Sequence, residues 1–475
     1  VASTETTKEP HSFKRACQRE GLQACSLKTF SRAIELRCQE EQVRKRQGRR
    51  AAAQHEAFYW ELSYTTPRHG DRSYEIAHID HTQLNLELLH SQTLKNLGRC
   101  WVTFLMDAFS RLLLALYLSY DPPSYRSCMM VLRDCVRRHH RLPQMIVNDK
   151  GPEFHSTYYE MLLARYECTK KERPAGKPRY GNVIERLFDT SQTQFLYNLT
   201  GNTQLMLGDI RQVSREVKPK HLANWTLPRL YPRFCQWADL YNSAEHSALG
   251  QSPLEALAAG IALGGERRHR LIPYNQEFII DTLPTTRKGT AKVDLNRGVK
   301  INYIYYWNDA FRHPEIGNQQ VPVRYDPLNI GLAYAFVQGR WAQCISEHYA
   351  RLRGRSEKIL KIAAEELRAR NRRHIRQVAI NGRRLAEFIE ELEREEQYFE
   401  VLGREADNQQ VIMLAEGKLP MPQNGRGSGQ GEEPDVPEAE EVDQTRPHQP
   451  LTHDPLDPED QDDDDLEAFP VFALK

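Results

Sequence analysis

The sequence predicts a multidomain α/β protein, with a core of strands and helices flanked by a helical N-terminal region, a small β-barrel, a further helical segment and a disordered acidic tail. Three observations predict it. Three apolar runs follow one another from Tyr74 (YEIAHID, RCWVTFLMDA, SRLLLALYLS), after which helix-like and strand-like patterns alternate as in an α/β core. Later come valine- and tyrosine-rich runs broken by turn residues, and then charged helical sequence ending in an acidic stretch. At 475 residues, 40% of them apolar and 27% charged, the chain can support two or three cored domains plus unstructured sequence.

Residues 1–70 read as helical and strongly basic. Ser12–Gly21 is followed by a short break and then by SLKTFSRAIELRCQEEQVRKR, where Ser26 caps a helix that places Phe30, Ala33, Ile34 and Cys38 on one face. Helix, turn and basic helix suggest a helix-turn-helix, and an ordinary helical pair has the same pattern. The run Arg44–Arg50 (RKRQGRR), with Arg44, Lys45 and Arg46, reads as a linker that follows phosphates.

Residues 71–262 form the α/β unit. The three apolar runs predict an antiparallel meander, Ser124–His140 a helix, QMIVND (144–149) a short buried strand and Ser156–Tyr166 another helix. A further helix is expected near Asn182, after the loop KPRYG, and others over Leu230–Tyr241 and Pro253–Ile261. In 263–350, the segments VKINYIYYW, VPVRYD and LAYAFVQGRWAQC predict the barrel. Residues 351–415 carry an apolar stripe through charged helical sequence, and 416–475 read as a disordered tail. That tail ends in LEAFPVFALK, whose Phe469, Val471, Phe472 and Leu474 suggest a short peptide that docks on a partner.

The net charge of +1 conceals a division. Residues 432–475 hold 16 acidic and two basic side chains, which leaves +15 on residues 1–431. A basic body suits a polyanion, because each neutralised phosphate releases counterions. The nine cysteines are scattered and never spaced as C-x-x-C, which argues against a disulfide framework and a zinc knuckle. No leader follows Val1 and no uncharged run nears the roughly 20 residues of a membrane span, so a soluble intracellular protein, with no membrane partner and with coding sequence missing before Val1, is expected.

Three acids carry the chemistry. Asp80 in IDHT and Asp149 in VNDKGPEF each close a strand, where ligand sites of α/β sheets form, and Glu185 opens a helix after a glycine loop. Each alone is most often a cap or a surface acid. Together they suit in-line phosphoryl transfer, which uses two divalent ions about 3.5–4 Å apart, one for the attacking and one for the leaving oxygen. Oxygen-seeking Mg²⁺ needs only a few carboxylates besides substrate oxygens.

The phrases IDHT, MDAFSR, LSYDPPSY, VNDKGPEF, KPRYGNVIERLF and YNSAEHSALGQSPLEAL resemble the DDE transposases of the retroviral-integrase superfamily, nearest its TnsB/TniA branch and more distantly phage Mu transposase. The resemblance covers roughly residues 20–405. It implies an RNase-H-like catalytic core in which Asp80, Asp149 and Glu185, with 35 residues between the last two, are the catalytic metal ligands. Two Mg²⁺, replaceable by Mn²⁺, are the implied cofactors. Lys150 departs from the asparagine that relatives often carry, and Asp107 is expected to be a structural acid near Ser110 and Arg111.

His81, Lys150, Lys177, Arg179, Tyr180 and Arg186 are candidate DNA contacts, His81 alternatively orienting Asp80. His139 and His140, with Arg137, Arg138 and Arg141, read as a solvated or DNA-facing basic cluster. The implied activity is exposure of 3′-hydroxyls at transposon ends and their joining to target DNA. Implied partners are double-stranded DNA, an AAA+ ATPase target selector of the TnsC/TniB kind, a TnsA-like endonuclease and further copies of the chain, in a bacterial, nucleoid-associated setting. A catalytically inactive scaffold or repressor and a simple RNase-H-like nuclease are the competing readings.

Overall fold

The computed structural model describes residues 9–36, 39–48, 52, 69–149, 151–173, 182–204, 218–373, 380–393 and 398–421. At the N-terminus, α1 (Glu9–Arg19) and α2 (Leu27–Glu35) pack through Phe13 and Phe30, whose ring centroids are 4.8 Å apart. Ser26 caps α2 by accepting the Thr29 N–H at 3.2 Å. The basic sequence that follows is a separate helix, α3 (Gln39–Gln47).

The core sheet is built on β1 (Ile76–Leu89), β2 (Asn96–Asp107), β3 (Leu113–Ser119), β4 (Met145–Asn148) and β5 (Thr169–Glu172). Its order is β3-β2-β1-β4-β5, and the two-residue β6 (Trp225–Thr226) also pairs with the far end of β1. The expected meander supplies the antiparallel half, while β4 and β5 add parallel to β1. Helices α4 (Tyr125–His139) and α5 (Thr157–Arg165) cover one face through Met129, Leu132, Val136 and Leu162. The other face is covered by α6 (Asn182–Gln194) and α7 (Leu227–Ser243) through Ile184, Leu187, Phe234 and Trp237. With both faces covered, β3 is buried at every position of LLALYLS, which is why its sequence shows no alternation. α8 (Pro253–Gly264) opens with a capping box, Ser252 against Glu255, and a short α9 (Gln276–Asp281) leads out of the core.

The expected barrel is present and closed. Strands β7 (Thr290–Asp294), β8 (Gly298–Ile301), β9 (Ile304–Trp307), β10 (Gln320–Tyr325), β11 (Leu332–Val337) and β12 (Arg340–Ser346) run in the cyclic order β10-β11-β12-β9-β8-β7. The run VKINYIYYW, read as one segment, is two strands, because Asn302 and Tyr303 turn with φ of 48° and 71°. Sequence 351–415 divides between two cores. α10 (Glu357–Arg373) and α11 (Gly382–Leu392) add Ile359, Leu360, Leu385 and Ile389 to the barrel core, whereas α12 (Phe399–Ala415) adds Val411 and Leu414 to the sheet core. Glu416, expected to open the disordered tail, is instead bound to the buried Arg133 at 3.1 Å, since a buried guanidinium requires a carboxylate. Phe469, Val471, Phe472 and Leu474 lie outside the described residues. No helix among the described residues is long and apolar enough to cross a membrane.

Candidate active site

β1 does not end at Asp80. It continues to Leu89 along β2, and what ends near Asp80 is its pairing with β4, which covers only Ile76↔Met145, Ala77↔Ile146 and His78↔Val147. Continued two places, that register sets Asp80 level with Asp149. The free edge of β1 beyond β4 therefore takes the place of the expected strand end. Alternation along β1 sends Ala77 and Ile79 into the α4 core and places His78 and Asp80 on the opposite face.

On that face Asp80 is paired across the sheet with Phe104, and Phe188 of α6 stacks on Phe104 with centroids 4.8 Å apart. This packing fixes the first turn of α6, which carries Glu185, over the same part of the sheet. Glu185 itself is exposed. Asp149 is exposed as well, and its Oδ1 accepts the Gly151 N–H at 3.0 Å, closing the turn after β4. Behind it the buried Asn148 donates from Nδ2 to the Asp149 carbonyl at 2.6 Å.

Asp80 is held from two sides. Oδ1 accepts the His81 N–H at 2.8 Å, and Oδ2 accepts Nη2 of Arg173 at 2.9 Å. Arg173 follows β5, and its own N–H donates to the Asn148 carbonyl at 2.8 Å, so the residue that precedes Asp149 also positions the cation on Asp80. Burial raises the Asp80 carboxyl above its ordinary range, Arg173 opposes this, and the charge of Asp149 adds to the rise. Glu185 is raised in the same way, by burial first, with Arg173 lowering it and Asp80 raising it. The three acids and Arg173 thus share one electrostatic field. Among the described residues no three His, Cys, Asp or Glu side chains close on a single point. The all-oxygen donor set and the mutual repulsion of the acids fit a hard divalent cation.

The structure places the other candidates variously. The His81 ring lies on the face away from Asp80, with Nδ1 2.7 Å from Thr103 Oγ1 and the ring stacked on Phe154 at 5.1 Å. The expectation that its ring orients Asp80 is therefore corrected: the backbone N–H does so, because neighbouring side chains on a strand point to opposite faces. Arg186 is exposed beside Glu185, and its charge reaches His246. Lys45 pairs with Glu41 at 3.3 Å on α3, which also carries Arg44; the Arg46 side chain, Lys150, Lys177, Arg179 and Tyr180 lie outside the described residues. Asp107 is fully buried, accepting N–H from Tyr74 and Ser110, each at 2.8 Å, and the Ser110 hydroxyl at 2.6 Å, which leaves it a structural acid. Sequence reasoning missed Arg173. A basic residue closing β5 is unremarkable until β4·β5 register brings it to Asp80.

The model of the TnsB C-terminal domain matches residues 78–201, which contain all three acids. That of the Mu transposase C-terminal domain matches residues 283–342, most of the barrel. A curated relative, the transposase for transposon Tn552 of Staphylococcus aureus, is 26% identical over 199 residues. Over these segments the chain is similar to TnsB-type DDE transposases. The Tn552 match spans 39% of this chain and 38% of the relative. Among solved structures, the HTLV-2 integrase catalytic core domain in complex with magnesium matches 39% of this chain and 98% of its own at 13% identity, with a TM-score of 0.26. The catalytic core domain of BIV integrase matches 40% and 98% at 15% identity, with a TM-score of 0.25.

Proposed function

We propose that this TnsB-type chain is a DNA transposase that binds transposon ends, exposes their 3′-hydroxyls and joins them to target DNA by metal-dependent phosphoryl transfer. The observation that carries the reading is the levelling of Asp80 with Asp149 at the edge where β4 stops, with α6 bringing Glu185 over the same face. On this reading the sheet and its helices are an RNase-H-like core. Residues 1–70 bind the terminal repeats, 71–262 carry the chemistry and 263–350 support DNA or a neighbouring subunit; 351–415 brace both cores, and 416–475 tether a docking peptide.

Asp80, Asp149 and Glu185 are the residues that would hold two Mg²⁺, with Mn²⁺ able to substitute. When bound, such ions supply activation of the attacking oxygen and stabilisation of the leaving one. The protein's own part is placement: Gly151 and Asn148 fix the Asp149 turn, Arg173 and the His81 N–H fix the Asp80 carboxylate, and Phe104 against Phe188 fixes α6. The proposed partners are double-stranded DNA, further copies of the chain assembled on it, an AAA+ ATPase target selector of the TnsC/TniB kind and a TnsA-like endonuclease. Three acids kept within one field argue against an inactive scaffold, which has no use for their mutual repulsion.

The test is strand transfer of a labelled, pre-cleaved 3′-hydroxyl transposon-end duplex into plasmid with Mg²⁺ or Mn²⁺. Asp149→Ala is expected to lower joining by at least about a thousandfold, the scale on which removal of a key charge-stabilising group acts, while end binding persists. Binding without joining by the unaltered protein, with ATPase and target supplied, would replace the reading with the scaffold.

A further inference from the structure

Two arginine-rich runs, RRHHR (137–141) and RRHR (267–270), take no part in the chemistry above. The fold sets them side by side: the Ile272 N–H donates to the His140 carbonyl at 2.7 Å, and Arg141, Arg267 and Arg270 line one shallow, open hollow together with Arg72, Tyr74 and Gln144. We propose that this hollow is a second DNA site, one that grips backbone phosphates at the end of the sheet remote from the carboxylates. The inference rests on the reading of the chain as DNA-binding, and it adds a contact surface that the metal chemistry does not require.

Charge is the first argument. Among the described residues neither Arg141 nor Arg267 makes an ion pair, while Arg72 is held by Gln144 at 2.9 Å and by Glu75 at 3.7 Å, and Arg270 by Glu167 at 2.6 Å. Two anchored guanidiniums thus flank two that make no direct ion pair, although the charge of Arg141 also reaches the exposed Glu266. All four are half-buried, so each has already given up part of its hydration. The rigid fork of an arginine matches two oxygens of one phosphate, which is the geometry such a pair lacks and a DNA backbone supplies.

Backbone strain is the second, independent argument. Tyr74 and Arg267 both hold left-handed conformations, with φ of 60° and 46°, and both lie on this hollow. Tyr74 is pinned there by the buried Asp107, which accepts its N–H at 2.8 Å, and its ring supports the Arg141 guanidinium 5.0 Å from the centroid. Left-handed backbone at bulky residues is strained and persists where the surroundings over-determine it. Here both left-handed residues lie on the one concavity that Arg141 also lines. The wall opposite is glycine: a Cβ at Gly260 would lie 2.1 Å from Ser73 Oγ, and one at Gly264 3.0 Å from Arg72 Cδ, so α8 can approach only without side chains.

Position decides which part of a DNA complex it serves. Gln144, at the hollow, and Asp149, at the site, are five positions apart at the two ends of β4, about 16 Å of extended chain. The phosphate gripped here is therefore not the one that reacts.

The experiment uses the full chain and its Arg141→Gln/Arg267→Gln variant. Affinity for a labelled duplex is measured by anisotropy across a salt series, and melting temperature is compared as the control on folding. Loss of two phosphate contacts is expected to reduce the slope of log affinity against log salt by about two, with the melting temperature unchanged. Equal slopes in two equally stable proteins overturn the proposal, while absence of any salt-dependent binding by the unaltered chain overturns the DNA reading beneath it. Phenylglyoxal modification of Arg267 separates the sources of phosphate. Protection by duplex supports a backbone site; protection by inorganic phosphate and not by duplex overturns it in favour of a small-anion site.

Discussion

Arg173 lies 2.9 Å from Asp80, half hidden with it, and its charge also reaches Glu185. A guanidinium in this place does what a divalent ion does: it offsets the repulsion of acids held close together. It would compete with one bound there. Replacing Arg173 by Gln removes a charge-assisted bond worth about 1.5–3 kcal/mol and leaves Asp80 facing the other acids uncompensated. Mn²⁺ affinity, read by electron paramagnetic resonance without DNA, is expected to rise about tenfold or more, whereas Asp149→Ala should weaken it. An Arg173→Gln protein that binds Mn²⁺ no better than the parent would show that Arg173 only braces the strand. The acids themselves were legible in the sequence because their spacing and neighbouring phrases are distinctive. Arg173 was not, because nothing in TKKER marks which of its charges turns toward β1.

Among the elements, α12 shows how a distant segment can complete a core. Its sequence reads as one more charged helix, yet Gly403 lets it approach the turn after β1 so closely that a Cβ there would fall 2.2 Å from Cδ2 of His90. The ring cannot step aside, since its Nδ1 accepts the N–H groups of Gln92 and Thr93, both at 3.0 Å, and one turn along the helix Asp407 accepts the Ser91 N–H at 3.3 Å. Gly403→Ala is accordingly expected to destabilise the protein by about 1–3 kcal/mol, the usual cost of overpacking, in spite of the better helix propensity of alanine. Thermal unfolding is the measurement, and an unchanged or raised melting temperature would mean that the turn yields. Helices with their own signals were easier: Ser124 and Ser252 announce α4 and α8 as caps. The partner of an amphipathic helix is not written in its stripe, which is why 351–415 read as one segment and folds onto two cores.

At the scale of the molecule, sheet core, barrel and C-terminal helices are joined by buried charge. Arg126 of α4 bonds Asp121 at 2.6 Å and lies 3.4 Å from Glu405 of α12, and Lys358 of α10 also bonds Asp121. Beside them Glu357 accepts the hydroxyls of Tyr125 at 2.5 Å and of Tyr325, from the barrel, at 2.9 Å. Breaking one member of such a cluster strands its partners in low dielectric, at a cost of about 3–5 kcal/mol. Arg126→Leu is therefore expected to lower stability by that amount and to split a single calorimetric transition into two as the barrel uncouples from the sheet; one undivided, unshifted transition would show that the apolar contacts alone join them. The sequence by itself determined the α/β core, the barrel and the order of the elements, and it proposed the three acids, since period, turn residues and motif spacing are local properties of the chain. Only the tertiary structure decided that Asp80 stands in mid-strand, that the His81 ring turns away from it, that Arg173 bonds Asp80 and that two arginine runs 126 residues apart share a hollow. Those facts depend on strand register and on long-range packing, and no residue's immediate neighbours encode either.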